Sequence, residues 1–353
     1  MLKQIKIHAF RWKKYKEVTM KNRLFLTCTL GLLISPLAQA QQNVCVFDLL
    51  GKAGESYKIM EEWALASKAW GANINLIAYK SEEQADNDFK ADKCDAVAMT
   101  TMRSREYNRF GGSIDALGSV PNYAIAEKAI VYALDKRNAK RLVSVKNNIK
   151  YELVGISPVG LAYIFVRDRA MDNIDKAKGK KVSYLSYDIA QKMAIERIGA
   201  VGVPSDISNF VSKFNNGEVD AVPSPAYAFK PLEIYKGLGN KGAMFTYPVL
   251  HVTANVIIKT DKFPNNFGNQ SRAWSTQRLP QAFKMIKRLE AEIPAKYKLP
   301  ISKEDQIRYQ KLLRDGRIEL TKQGVYDATM MSVLKRARCT VDRTNFECSL
   351  TDE

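Results

Sequence analysis

The sequence predicts an α/β chain of two similar lobes, each built on a parallel-rich mixed sheet, with extra helices at the C-terminus. Three observations carry this expectation. Strand–helix–strand–helix–strand patterning occurs twice. The two copies share a Phe and a DAV triplet in register, and the only long apolar run of the chain lies at its N-terminus. Of 353 residues, 46% are hydrophobic, with 12 Pro and 19 Gly, which suits one or two ordinary cores rather than general disorder.

The more legible copy runs from Lys180 to Pro225. Val182–Tyr184 reads as a strand, and Asp188 caps a helix with Ala190, Met193, Ala194 and Ile198 at helical spacing. Gly199-Ala200 stops that helix and Val201–Val203 restarts a strand. Ser205 or Asp206 opens a second helix with Ile207, Phe210, Val211 and Phe214 on one face; Gly217 ends it, and Val219–Val222 is the third strand. In the earlier copy, Asn43–Phe47 is a strand and Ser56–Trp70 a helix with Ile59, Trp63, Ala66 and Trp70 on one face. Gly71-Ala72 stops it, Ile74–Tyr79 is a strand, and Ser81–Gln84 is a capping-box pattern. Asp88–Val97 (DFKADKCDAV) then aligns with Lys213–Val222 (KFNNGEVDAV). Ligands of open parallel sheets sit beyond the carboxyl ends of the strands, so the residues after the two DAV triplets are expected to face each other across a cleft.

Between the copies, Ile130–Leu134 reads as a strand and Asp135–Asn147 as a basic connection. Val154–Ile156 and Leu161–Val166, linked by Ser157–Gly160, read as the passage between lobes. His251–Ile258 is an alternating strand that returns the chain to the first lobe. Leu279–Ile293, Glu304–Leu313 and Lys322–Leu334 follow as helices. The expected organisation is a leader and signal peptide over 1–40, lobe 1 over 41–157, lobe 2 over 158–252, and 253–353 returning to lobe 1 with the helices and tail.

Lys21 and Arg23 precede the apolar run Leu24–Ala40, which ends in the small-residue site Ala38-Gln39-Ala40, the pattern of a secretory signal cleaved near Ala40. No other segment approaches the ~20 apolar residues of a membrane span. The leader holds eight Lys/Arg and one Glu, so its removal lowers the formal charge from +18 to +11. Four cysteines remain, an even number suited to disulfides in an exported chain, and Cys45–Cys94 with Cys339–Cys348 is the favoured pairing of three. Without the leader the chain keeps one of its two histidines, His251, and that with the lack of CxxC spacing argues against a metal. His251 is more simply a packed or surface residue than a catalytic one. No nucleophile–base pair, cofactor motif or nucleic-acid motif stands out, so neither an enzyme nor a nucleic-acid partner is expected.

After the first DAV, Thr100, Thr101, Arg103 and Arg105 form the richest cluster of donors, suited to a carboxylate through a bidentate arginine or, more blandly, to a polar turn. Arg167 follows a strand-like run. Ser224 and Tyr227 follow the second DAV, Asn255 lies on the returning strand, and Asp48 follows the first.

Gly179, Gly199-Ala200, Val203-Pro204, Gly217, Val219-Asp220 and Glu233, continued by Asp261–Pro264, come in the order of the central segment of TRAP-type (DctP-like) periplasmic solute-binding proteins, which residues 44–300 resemble. The resemblance implies a type II-like two-lobe periplasmic binding protein. It would capture a small polar or anionic solute between its lobes, without a cofactor, for delivery to a membrane permease. In that family a strand arginine takes the ligand's carboxylate, and Ser183 stands at that position here. Arg103, Arg105 or Arg167 taking over that role, or a different ligand class, are the two resolutions. The mature chain is also similar to a group of Gram-negative solute-binding sequences, some labelled AdeT, an RND-type efflux component linked to aminoglycoside resistance. That likeness implies the alternative of an accessory or interaction protein in an envelope or efflux complex. A drug-binding role would draw on acids such as Asp48, Glu55, Asp95 and Asp220.

Overall fold

Alternating apolar residues build the first half of the sheet in a computed structural model that describes residues 41–352. The expected leader and its cleavage near Ala40 lie outside the described residues. β1 (Gln41–Phe47) turns Val44 and Val46 to one face and Cys45 and Phe47 to the other, and all four are buried in separate apolar clusters. It lies between β2 (Asn73–Tyr79) and β3 (Ala96–Thr100), parallel to both. The crossovers are α1 (Glu55–Ser67) and α2 (Glu82–Lys90), the latter capped by Ser81, whose side chain accepts from the Gln84 N–H. On α1 the buried stripe is Tyr57, Met60, Trp63 and Ser67. Of the expected face only Trp63 is fully buried, because the Trp63 Nε1–H donates to Ser271 Oγ (2.8 Å) and sets the helix's rotation.

After β3 come α3 (Thr101–Ser104) and α4 (Tyr123–Ala133). Ile130–Leu134, expected as a strand, ends α4 instead. Asn122 caps that helix, and Ile125, Ala126, Ala129, Ile130 and Ala133 are buried at helical spacing. β4 (Val143–Lys146) turns through Asn147 and Asn148, both at positive φ (51° and 61°), into β5 (Ile149–Val166). Ser157–Gly160, expected as a link between two runs, is the middle of this single 18-residue strand.

The second copy is β6 (Lys181–Leu185), α5 (Ile189–Arg197), β7 (Val201–Ser205), α6 (Phe210–Asn215) and β8 (Ala221–Pro225). Asp188 caps α5 by accepting from the Ala190 N–H, but the buried positions are Ala190, Gln191 and Ile195. α6 starts later than expected, at Phe210, because Asn209 Oδ1 ties back to the Asp206 N–H in a turn before it. α7 (Ile234–Leu238), β9 (Ala243–Phe245) and β10 (Leu250–Lys259) follow.

The sheet order is β2-β1-β3-β10-β5-β8-β6-β7, so β1 sits between β2 and β3 just as β6 sits between β7 and β8. The internal repeat is therefore a repeat of topology. β10 is antiparallel to both β3 and β5, and β5 continues past it to pair with β8. These two strands join the halves, and their register shifts at Val252/Thr253 and Val256/Ile257.

The C-terminal part is α8 (Phe267–Ala291), the short β11 (Lys298–Leu299), α9 (Lys303–Lys322) and α10 (Ala328–Val341). The expected helix Lys322–Leu334 is split where Gly324 takes a φ of 75° after α9 and Asp327 caps α10. Arg317 of α9 donates to the Leu117 carbonyl and Arg338 of α10 to that of Ser119, and both pair with the buried Glu347 at 2.7 Å. The disulfides are Cys45–Cys94, beside β1 and β3, and Cys339–Cys348, which holds the tail bearing Glu347 against α10.

Candidate functional site

The carboxyl ends of the parallel strands in both halves converge on one cavity of about 100 Å³. Phe47 and Asp48 reach it from β1 and the turn after it, Met99 and Thr100 from β3, and Ser183, Tyr184 and Leu185 from β6. Pro223 and Pro225 come from β8, Tyr227 from the turn after it, and Val159, Ala162, Leu250 and Val252 from the joining strands. Residues just after the two DAV triplets thus face one another across the cavity, through Thr100 on one side and Pro225 with Tyr227 on the other.

Asp48 is buried, and its carboxylate is committed to the backbone. It accepts from the N–H groups of Leu50 (2.9 Å), Ser56 (2.9 Å) and Tyr57 (3.3 Å), the last two at the start of α1. Gly54 makes this possible, because a Cβ there would lie 1.8 Å from Asp48 Oδ1. Ser183 is fully buried and shares a 2.7 Å hydrogen bond with Ser205 Oγ. Tyr227 is half-buried, and its phenol is pushed upward by burial and by the nearby carboxylates of Asp48 and Glu55.

The remaining expected residues do not line this cavity. Thr101 is buried against Thr253, with 2.6 Å between their hydroxyl oxygens. Arg103 donates to Glu82 Oε2 (3.2 Å) and lies 3.9 Å over the ring of Tyr187, whose hydroxyl donates to the same carboxylate oxygen at 2.7 Å. Arg105 is held between Asp115 Oδ1 (2.9 Å) and Asp188 Oδ1 (3.1 Å). Arg167 donates to the Phe214 carbonyl (2.5 Å), and Ser224 is buried beside Pro225. Asn255 is buried, donates to Ser104 Oγ (2.9 Å) and borders a smaller neighbouring cavity. None of the three arginines lines this cavity, and each already has an oxygen partner, which would be left unpaired if the arginine turned to a solute. Arg103 and Arg105 instead tie the first half of the sheet to Tyr187 and Asp188 at the end of β6.

Sequence reasoning missed most of the wall. Met102, Val159, Gln191, Ile207, Phe210 and Val252 all border the cavity. Ile207 and Phe210 fall on one face at helical spacing, and nothing in that spacing separates a core from a cleft wall.

The sequence matches the family described as solute-binding protein AdeT 1/2 over residues 36–353. The chain belongs to that family. It is 41% identical over 308 residues to a probable solute-binding protein, AdeT1, of Acinetobacter baumannii, covering 87% of this chain and all of the relative. It is 28% identical over 240 residues to AdeT2 of the same organism, covering 68% of this chain and 99% of the relative. Among solved structures, a TRAP periplasmic solute-binding protein from Ralstonia eutropha with bound (S)-2-acetolactate aligns at a TM-score of 0.68 and 13% identity, covering 85% of this chain and 99% of that one. One from Haemophilus influenzae with bound L-gulonate aligns at 0.65 and 11%, covering 84% and 99%. At such identities the likeness shows the fold, the two-lobe α/β architecture of TRAP solute-binding proteins. Membership of the AdeT family makes the chain a solute-binding protein.

Proposed function

We propose that the AdeT-family chain captures its solute in the cavity where the carboxyl ends of β1, β3, β6 and β8 converge, and hands it to a membrane permease. The convergence of both halves on that one cavity is the observation that carries the reading. Asp48, Thr100, Ser183 and Tyr227 supply its polar groups. We assign one lobe to residues 41–157 with 253–353 and the other to 158–252, closing on the solute by bending β5 and β10 where their register shifts. Export to the periplasm, with cleavage near Ala40, fits the family and the N-terminal pattern. N-terminal sequencing of the exported protein should begin near Gln41.

Capture is tested by thermal unfolding of residues 41–353 with and without a solute panel, together with small-angle scattering. A solute at a hundred times its dissociation constant adds about 2.7 kcal/mol to the stability of the bound form. A cleft solute should raise the melting temperature and shrink the radius of gyration. A solute that does both after the cavity has been blocked would place capture elsewhere.

A further inference from the structure

The polar groups on the cavity wall are largely satisfied by the protein itself. The Asp48 carboxylate, the one charged side chain among the described residues lining the cavity, is occupied by three N–H groups. The Ser183 hydroxyl is shared with Ser205 (2.7 Å). Gln191 accepts from the Leu185 N–H (3.1 Å) and donates to Met102 Sδ (3.1 Å), and Thr100 Oγ1 accepts from the Arg103 N–H (3.4 Å). The Tyr227 hydroxyl has no hydrogen-bond partner among the described residues, and the same holds for the hydroxyls of Tyr184 and Ser56 on the same wall.

Apart from these hydroxyls the rest of the wall is carbon and aromatic ring, with Phe47, Tyr184, Phe210 and Tyr227 contributing rings. A carboxylate placed here would lose its hydration, meet Asp48, and find the nearby Arg103 and Arg105 already paired with Glu82, Asp115 and Asp188. The amides that start α1, which elsewhere suit an anion, are taken by Asp48.

We infer that the cleft selects an uncharged solute with an apolar or aromatic body and a hydrogen-bond acceptor directed at the Tyr227 hydroxyl. This rests on the solute-capture reading and narrows it: of the polar and anionic solutes that the sequence allows, the wall favours the uncharged. Tyr227 serves as the donor, since a phenol keeps its proton at neutral pH, and burial with the neighbouring carboxylates shifts it further in the same direction.

Benzamide and benzoate test this, being nearly the same shape and differing in charge, with succinate as a dicarboxylate. The full chain, expressed with its leader, is purified with both disulfides intact and cleared of bound small molecules by unfolding and refolding. Titration calorimetry should find benzamide binding at least tenfold more tightly than benzoate, with no heat from succinate. Tyr227→Phe should weaken benzamide severalfold and leave the melting temperature of the free protein in place. Val159→Trp, at a half-buried position, should fill the cavity and abolish binding, with circular dichroism checking its fold. If benzoate or succinate binds more tightly than benzamide and Val159→Trp removes that binding, the uncharged class is overturned while capture in this cleft stands. If Tyr227→Phe leaves benzamide affinity unchanged, the assigned donor is wrong. If none of the three binds, the uncharged aromatic class is overturned, and the solute panel with the blocked cavity decides the capture reading by itself.

Discussion

His251 is fully buried on β10, its ring stacked 6.1 Å from that of Phe283, and neither ring nitrogen meets a partner among the described residues. Burial lowers its pKa to about 3. An unfolded chain takes up a proton there near pH 6.5, while the folded chain resists it until about pH 3. The stability tied to neutral His251 is therefore full above pH 6.5 and is lost as pH falls through that window. His251→Leu should move the acid-unfolding midpoint to lower pH, as followed by circular dichroism. Asp115 has the opposite sign. Burial raises its carboxyl to about 7, against the pull of Arg105, with Asp188 adding repulsion. The folded chain holds that proton while the unfolded one releases it near 3.8, so stability declines as pH rises from about 4 to 7. Asp115→Asn should flatten that decline in chemical-denaturation measurements across the range. That His251 is a poor candidate for catalysis was legible in the sequence, because a lone histidine on an apolar strand has no catalytic company; that it is packed rather than exposed was decided by the fold. The role of Asp115 was not, because its burial depends on Arg105 and Asp188, which are distant in sequence.

Among the elements, α9 and α10 show how the tail is secured. Glu347 sits buried between Arg317 and Arg338, and Cys339–Cys348 closes the short loop that delivers it. Replacing both cysteines by Ser should cost about 2–3 kcal/mol by the loop-entropy relation for a loop of about ten residues. It should lower the melting temperature and raise amide exchange first in α10 and in the loop around Leu117–Ser119, which the two arginines hold. The four-cysteine count and its even pairing were readable in advance. The bracing role of the helices was not, since amphipathic spacing gives a buried face without naming what covers it. The same limit explains α1, whose expected and observed faces differ by a rotation that Trp63 and Ser271 decide across 208 residues of chain.

For the whole molecule, β5 and β10 run through both halves of the sheet, and Arg105 is a tie across the cleft that they bound. Arg105→Met would leave Asp115 and Asp188 buried without their cation, a change expected to cost about 3–5 kcal/mol. Because Asp188 lies in the second half, the variant should also show a larger radius of gyration by small-angle scattering than the unmodified chain. A lower melting temperature with unchanged dimensions would mean that Arg105 stabilises the first half alone.

Local pattern determined the repeated β-α-β-α-β units, the capping residues Ser81 and Asp188, and an even set of four cysteines, because strand alternation, helix caps and cysteine parity are written in the sequence, while which cysteines pair was left to the fold. Tertiary structure decided what those units enclose. Arg103, Arg105 and Arg167 look like ligand-binding groups until distant oxygens claim them, and Ile207, Phe210 and Val252 look like core until two halves of one sheet leave a cavity between them. The physical reason is that a side chain's chemistry is fixed by its type, while its availability depends on partners that only the folded chain brings within bonding distance.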